Sequence, residues 1–145
     1  MYKRQAYTYP HEEGVPVDGA TVARSLGQDP AAVFKTLVAR GASNGIYVFV
    51  VPVEESLDLK KAAKAVGEKS IAMVHVSEIN GLTGYVRGGC SPVGMKKLYP
   101  TVFHLSALDH DVIMVSAGKI GWQVALAPQA LMDLVRGKAA DIIAG

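Results

Sequence analysis

The chain has 145 residues, of which half are hydrophobic, and its formal net charge at pH 7 is only +2. That length fits a single substantial hydrophobic core, so we expect one domain over residues 1–145. The small net charge excludes a strongly basic nucleic-acid coat protein. Any RNA contact must come from a local patch or be shared with a partner protein.

Cysteine and histidine usage excludes several kinds of site. Cys90 is the sole cysteine, which rules out an internal disulfide and a cysteine-rich zinc site. The histidines are scattered without the His-x-x-x-His spacing of a zinc ligand pair, so we expect neither a metal nor a cofactor.

No apolar stretch approaches the ~20 residues that span a bilayer. Because the N-terminus also lacks an apolar signal-peptide core, we expect a cytoplasmic protein that does not enter a membrane.

The first third of the chain contains both β-rich runs and helical segments. A short strand is predicted over residues 6–9, and a helix from Asp18 to about Leu26, with a glycine as its stop. Asp29-Pro30 opens a short helical turn that leads into a strand over residues 33–38. The next run, residues 46–51, is apolar throughout, which is typical of a strand buried on both faces.

An amphipathic helix is predicted next. Its apolar residues recur at i, i+3, i+4 and i+7, at Leu59, Ala62, Ala63 and Val66, and Gly67 ends it. Further strands are predicted over residues 71–76, 102–105, 112–115 and 123–126, the last of these being the final strand. Pro128 suits the first turn of a closing helix that ends at Gly137 and turns three residues toward the core: Leu131, Leu134 and Val135. Strands outnumber helices without regular alternation, which favours an α+β domain around a mixed sheet.

The most unusual segment runs from Gly81 to Lys97 and is rich in glycine. Glycines let the backbone approach a ligand closely and turn N–H groups toward an anion or oxyanion. The segment is not a phosphate-binding P-loop, because Met95 follows Gly94 where that motif requires lysine. From spacing alone, an ordinary glycine-rich turn between strands remains the alternative.

Two other residues are candidates for a binding or catalytic role. Lys35 interrupts an apolar strand, where it would lose solvation and bind an anionic or carbonyl group, or lie with its stem along apolar neighbours. Cys90 beside Ser91 suggests a nucleophile, but no histidine or carboxylate lies near it in sequence, so a packing role is the better interpretation.

Four motifs in the same order resemble the YbaK family of aminoacyl-tRNA deacylases, which is related to the editing domain of bacterial prolyl-tRNA synthetases. The resemblance covers nearly the whole chain. The motifs are Val33-Phe34-Lys35-Thr36-Leu37-Val38, the helix over residues 57–67, the run from Thr83 to Lys97, and Ser116-Ala117-Gly118-Lys119-x-Gly121 followed by Leu126-Ala127-Pro128.

The resemblance implies a fold, an activity and a set of site residues. It implies a mixed, barrel-like β-sheet surrounded by helices, and removal of a wrong amino acid from tRNA, with Cys-tRNA(Pro) the expected substrate. It implies Lys35, Gly88 and Gly89 as catalytic residues. It also implies these substrate-binding residues: Tyr9, Phe34, Ser91, Pro92, Ser116, Gly118 and Gln123. The implied partners are aminoacyl-tRNA and prolyl-tRNA synthetase or another synthetase.

Two departures from the family pattern leave alternatives open. Gln123 stands where well-known members have aspartate, so it can hydrogen-bond a substrate ammonium group but cannot pair with its charge. The helix that usually precedes the first strand is missing, which suggests a truncated or incomplete member. The alternatives are an Ala-tRNA(Pro) deacylase of the same family and a non-catalytic module that binds tRNA or a synthetase.

Overall fold

The computed structural model describes residues 5–8, 30–85, 90–95, 97–117 and 122–144. These residues form three α-helices, which we number α1 (Leu59–Val66), α2 (Val76–Thr83) and α3 (Pro128–Val135). They also form eight strands: β1 (Gln5–Thr8), β2 (Phe34–Gly41), β3 (Ile46–Pro52), β4 (Ile71–Met73), β5 (Thr101–His104), β6 (Ile113–Ser116), β7 (Trp122–Leu126) and β8 (Lys138–Ala140). Short 3-10 helices cover Pro30–Ala32 and Leu105–Asp109. The predicted helix from Asp18 to Leu26 lies outside the described residues.

The strands form two sheets. One has the antiparallel order β1-β7-β6, and the other has the order β4-β2-β3-β5-β8. In the larger sheet, β2 pairs antiparallel with β3 and β4, whereas β5 pairs parallel with β3 and β8. The predicted α+β class with a mixed sheet is therefore confirmed. Over the described residues no continuous ladder joins the two sheets into a barrel, and a parallel bridge between Val33 and Met114 connects them.

The larger sheet is covered on both faces. As predicted, β3 is buried from Val48 to Pro52 because its apolar side chains alternate between two core clusters. One cluster contains Phe34, Val50 and Phe103 with residues of α3, and the other contains Phe49 with residues of α1. No helix among the described residues is long and apolar enough to cross a membrane.

Helix α1 forms where the apolar periodicity predicts it. The Asp58 carboxylate accepts hydrogen bonds from the backbone N–H groups of Lys60 and Lys61, each at 3.0 Å, and so caps the first turn. Gly67, with a φ of +74°, ends the helix in the left-handed conformation that glycine adopts without strain. Ala62 and Ala63 are buried, but Leu59 is 41% exposed, so its predicted place in the core is wrong.

Helix α2 corrects the predicted strand over residues 71–76. Strand β4 ends at Met73, and α2 begins at Val76 and includes Gly81, which was expected in the glycine-rich loop. The Glu78 side chain accepts from the His75 backbone N–H at 3.1 Å and from Arg40 Nη2 at 3.0 Å. The first contact caps the start of the helix, and the second holds the helix against β2. The hydrogen bond from Arg40 is the main reason that the pKa of Glu78 lies below its ordinary value.

The C-terminal part of the fold differs from the prediction in three ways. Leu131 and Val135 of α3 are buried, but Leu134 is 40% exposed and does not face the core. The strand over residues 122–126 is not the last one, because β8 follows α3 and pairs with β5. The left-handed residue that ends α3 is Arg136, with a φ of +53°, one position before the predicted Gly137.

Candidate functional site

Strand β2 places Lys35 beside the smaller sheet. Val33 pairs with Met114 in a parallel bridge, so Lys35 and Ser116, each two residues further on, lie on the same face of neighbouring strands. In the antiparallel pair of β6 and β7, Ser116 stands opposite Gln123. We call these three residues the polar row. Its ends, Lys35 and Gln123, are separated by two strand spacings, or about 10 Å between backbones.

An apolar row lies one step back along the same three strands. It consists of Val33, Met114 and Ala125, which are buried together and contact Val53. Met114 pairs with Ala125 in the same register that pairs Ser116 with Gln123. The face therefore changes from apolar to polar within one side-chain step, which suits a ligand with a hydrophobic part and a polar reacting group.

Gln123 is buried, with 5% of its surface exposed, although its side chain is polar. Among the described residues, the buried side-chain oxygens without a hydrogen-bond partner are Thr36 Oγ1, Ser106 Oγ and Gln123 Oε1. An unpartnered buried carbonyl costs about 1–3 kcal/mol relative to a satisfied one. Because native proteins rarely leave such an atom unsatisfied, Gln123 Oε1 marks a position for a ligand donor.

Thr36, which follows Lys35, was not among the predicted site residues. Its backbone pairs with Val50, and strand alternation turns its side chain to the face that carries Phe34. The buried, unpartnered Oγ1 of Thr36 therefore lies across β2 from the polar row. Its position within the lysine motif was the only sequence signal for it, because a threonine in a strand is common.

The other predicted substrate-binding residues are placed as follows. Phe34 is 2% exposed, lies on the opposite face of β2 from Lys35, and its ring meets that of His110 edge-on at 6.5 Å. Ser91 and Pro92 are buried, and Ser91 Oγ accepts a hydrogen bond from the Val93 N–H at 3.3 Å. The remaining predicted site residues lie outside the described residues: Tyr9, Gly88, Gly89 and Gly118.

Two tyrosine hydroxyls hold the described part of the glycine-rich segment and its neighbourhood. Tyr85 donates through its hydroxyl to the Val93 carbonyl at 2.5 Å, and Tyr99 donates to the Leu82 carbonyl at 2.8 Å. Gly94 has a φ of +76°, and a Cβ there would lie 2.8 Å from Tyr85 Oη. The turn at Gly94 therefore requires glycine for both its conformation and its space.

Cys90 packs in the core beside this segment. It is 7% exposed and contacts an apolar cluster that includes Val38 and Val74. Burial raises the pKa of the Cys90 thiol to about 11, and a hydrogen bond with Thr83 opposes part of that rise. The thiol is therefore protonated at neutral pH, which is the opposite of what a cysteine nucleophile needs.

The Cys90 thiol is expected to react slowly with an alkylating reagent in the native protein. A pKa of about 11 in place of the ordinary 9.0 leaves the thiolate fraction at pH 8 about 100-fold lower, so native protein should react with iodoacetamide at least that much more slowly than urea-unfolded protein. Cys90→Ala should remain folded because packing is the residue's role. Rapid labelling of native protein would contradict this.

A cleft with a volume of about 270 Å³ lies at the ends of β3 and β5. It brings together residues that looked scattered in the sequence: Ala31, Pro52, Glu54, Glu55, His104, Ser106, His110 and Ile143. His104 Nδ1 accepts from the Ile142 N–H at 3.3 Å, which leaves the proton on Nε2 when the ring is neutral. Across the part of the chain that the structure describes, no group of three or more His, Cys, Asp or Glu residues is arranged to hold a metal ion.

Comparison with known proteins gives matches over most of the chain. The profile of the family described as the aminoacyl-tRNA editing domain matches residues 17–134. EbsC of Enterococcus faecalis, a proposed Cys-tRNA(Pro)/Cys-tRNA(Cys) deacylase, is 43% identical over 141 residues, which cover 97% of this chain and 84% of that protein.

Two solved structures share the fold. A crystal structure of a proposed trans-editing enzyme for prolyl-tRNA synthetase matches with a TM-score of 0.85 at 25% identity, over 98% of this chain and 87% of that chain. The crystal structure of hypothetical protein APE2540 has the same TM-score of 0.85 at 21% identity, over 98% of this chain and 92% of that chain. The latter shows likeness of fold alone.

Proposed function

Because the chain belongs to the aminoacyl-tRNA editing domain family, we propose that it is a trans-editing enzyme whose principal substrate is Cys-tRNA(Pro). The reaction is hydrolysis of the ester that joins a wrong amino acid to tRNA. Support comes from the names of two similar proteins, a proposed Cys-tRNA(Pro)/Cys-tRNA(Cys) deacylase and a proposed trans-editing enzyme for prolyl-tRNA synthetase.

The observation that carries this proposal is the polar row beside the apolar row. An aminoacyl ester is already activated, so its hydrolysis needs positioning and stabilisation of the oxyanion more than a protein nucleophile. The row offers a cation at Lys35, a hydroxyl at Ser116 and an amide at Gln123 across three adjacent strands. The apolar row, with Val53, would contact the small side chain of the amino acid.

We assign Lys35 to the carbonyl or the terminal ribose of the substrate. Its ammonium group would stabilise negative charge that develops on the carbonyl oxygen during attack. The backbone N–H groups of Gly88 and Gly89 are proposed to donate to the same oxygen, as the family resemblance implies. Water that attacks the carbonyl carbon gives the free amino acid directly, whereas the thiol of a cysteinyl substrate would attack its own ester carbonyl to form a thiolactone, which water then opens to free cysteine. In either route the ester C–O bond breaks and the ribose oxygen leaves with a proton.

Selection of the tRNA is proposed to involve a synthetase. The net charge of +2 is small for a protein that must by itself read a polyanion. The solved relative that is named for prolyl-tRNA synthetase supports this enzyme as the partner. Binding to the synthetase would supply tRNA identity, while the present chain supplies the hydrolytic site.

The test is release of labelled amino acid from Cys-tRNA(Pro), Ala-tRNA(Pro) and correctly charged Pro-tRNA(Pro), with and without prolyl-tRNA synthetase. We expect selective release of cysteine, faster when the synthetase is present. Discrimination between cysteine and alanine is expected to be modest, about 10–200-fold, because one small group is worth only ~1–3 kcal/mol in a pocket. Preferential release of alanine would assign the alternative specificity. No release from any substrate would favour a binding module without catalysis.

A further inference from the structure

The cleft at the ends of β3 and β5 has no part in the proposed reaction, and none of the polar-row residues lines it. Because β3 and β5 are parallel, their C-terminal ends lie side by side. Glu54 and Glu55, which follow β3, therefore meet His104 and Ser106 at the end of β5. The volume of about 270 Å³ is below the range of about 300–1,000 Å³ for sites of drug-sized ligands, so the cleft suits a smaller molecule.

Two hydrogen-bond donors lie on the buried side of the cleft. His104 is 8% exposed, and its Nδ1 accepts from the Ile142 N–H, so the neutral ring carries its proton on Nε2. Nε2 has no hydrogen-bond partner among the described residues. Ser106 Oγ is buried and likewise unpartnered there, and a rotation about χ1 would bring it to a ligand atom in the cleft. Both groups can donate to the same anionic oxygen or to two oxygens of one carboxylate.

These residues do not form a nucleophile triad, although a serine, a histidine and an aspartate lie close together. Asp141 Oδ1 is 3.9 Å from His104 Nδ1, which is beyond hydrogen-bond distance, and Nδ1 already accepts from Ile142. The Lys61 ammonium donates to Asp141 at 3.1 Å, which is the main reason that the pKa of Asp141 lies below its ordinary value. Since Ser106 Oγ has no hydrogen bond to His104, no base activates it. The arrangement favours binding over catalysis.

Two carboxylates lie on the exposed side of the cleft. Glu54 and Glu55 are exposed, and neither forms a salt bridge with another residue of the described ranges. They would attract an ammonium group and repel the phosphates of RNA. Pro52 and Ile143 add apolar surface to the lining. The cleft thus combines donors for a carboxylate, acceptors for an ammonium group and a small apolar wall.

We propose that this cleft binds a free α-amino acid with a small apolar side chain. The α-carboxylate accepts from His104 Nε2 and Ser106 Oγ, and the α-ammonium group lies beside Glu54 and Glu55. The side chain contacts the apolar part of the lining. This ligand site is additional to the polar row and does not depend on the proposed deacylase function.

The experiment titrates the full chain with L-alanine, L-proline and L-cysteine by isothermal titration calorimetry. Saturable binding is expected in the millimolar range, since the small number of atoms limits the affinity of such a ligand. Ethylammonium and propionate each carry only one of the two charges and should bind about tenfold more weakly or worse. Equal binding of either compound, tighter binding of adenosine monophosphate, or no saturable binding of any of the three amino acids would overturn the inference.

Ser106→Ala tests the buried side of the cleft. The variant removes a hydroxyl that has no partner in the described structure, so the unliganded protein should unfold at the same temperature as the wild type or higher. Its affinity for L-alanine should nevertheless fall by about tenfold. His104→Asn keeps an acceptor for the Ile142 N–H and removes the donor at Nε2, with the same expected loss. Ser77→Ala, at an exposed position of α2, is the matched control and should bind like the wild type.

The double variant Glu54→Gln, Glu55→Gln tests the exposed side of the cleft. Exposed charges contribute little each, so affinity for L-alanine should fall by about threefold. Propionate should bind more tightly to this variant than to the wild type, because two negative charges near its carboxylate are removed. If the variant bound both ligands like the wild type, the carboxylates would not contact the ligand and the inference would fail.

Lys35→Ala distinguishes the cleft from the polar row, where an amino acid released by the proposed reaction could also bind. This variant should keep the affinity of the wild type for L-alanine. Loss of binding in Lys35→Ala together with its retention in Ser106→Ala would assign the ligand to the polar row and overturn the inference. Absence of deacylase activity would contradict the proposed function and leave the binding result unchanged.

Discussion

Lys35→Ala is expected to lower kcat/KM on Cys-tRNA(Pro) by about 10²–10³-fold, which is the effect of removing one oxyanion-stabilising group from an enzyme site. The physical reason is the position of its ammonium group at one end of the polar row, on the same face as Ser116 and Gln123. Lys35→Met should lose as much, because it keeps the apolar stem of the side chain and removes only the charge. The measurement is single-turnover release of labelled cysteine.

Lys60→Ala provides the control for charge. Lys60 is an exposed lysine of α1, and its part in the α1 cap is through its backbone N–H, so the variant should keep full activity. If Lys35→Ala and Lys35→Met stayed within about threefold of the wild type, the site would lie elsewhere. In a chain that binds tRNA without catalysis, the substitutions of Lys35 would also have little effect. That case differs from a site located elsewhere because the wild type itself would release no cysteine.

Phe34→Ala is expected to lower the free energy of unfolding by about 3–5 kcal/mol, as large-to-small changes of buried aromatic residues do. Phe34 is 2% exposed and packs in the core cluster with Val48, Val50 and Phe103. Since small domains are stable by only about 5–15 kcal/mol, this variant should be close to unfolding. Urea denaturation followed by circular dichroism measures the change.

Two further variants separate packing from substrate contact. Leu98→Ala removes a side chain that is 57% exposed and should change stability by no more than about 0.5 kcal/mol. Phe34→Leu keeps most of the packing, and it should keep its KM because the residue faces away from the polar row. A raised KM in a well-folded Phe34→Leu protein would instead support the substrate contact that the family resemblance implies.

Local sequence signals predicted much of the fold. The apolar period and Gly67 predicted α1, and the apolar run over residues 46–51 predicted β3. These elements were predictable because their causes lie within a few residues along the chain. The family resemblance from four motifs is confirmed by the profile match and by the relative from Enterococcus faecalis.

Elements that depend on distant contacts were missed. Strand β8 has three residues, including an exposed lysine, and exists because β5 offers it a partner edge. Helix α2 begins in a run of apolar residues that resembles a strand, and the contacts of Glu78 with His75 and Arg40 decide in favour of a helix. Tertiary partners of this kind override local propensity.

The candidate site was likewise predictable only in part. Its residues could be selected by motif, but the order of Lys35, Ser116 and Gln123 on one face follows from a strand register that no motif states. The unpartnered oxygen of Gln123 is likewise a property of packing, although the replacement of the family aspartate drew attention to it. Thr36 stayed unselected because its isolation from hydrogen-bond partners is visible only in three dimensions.

The order of strands in the larger sheet bears on how the protein folds. Strands β2 and β3 are joined by a short turn, so this hairpin closes a small loop and can form within microseconds. By contrast, β5 and β8 join the sheet by parallel pairings with partners that are far away in sequence, which are slow steps. The pair β6 and β7 is also local in sequence, so the polar row is completed only when this pair docks beside β2, far from it along the chain. We expect the polar row to be among the last parts of the molecule to assemble, so that substrate binding reports on completed folding.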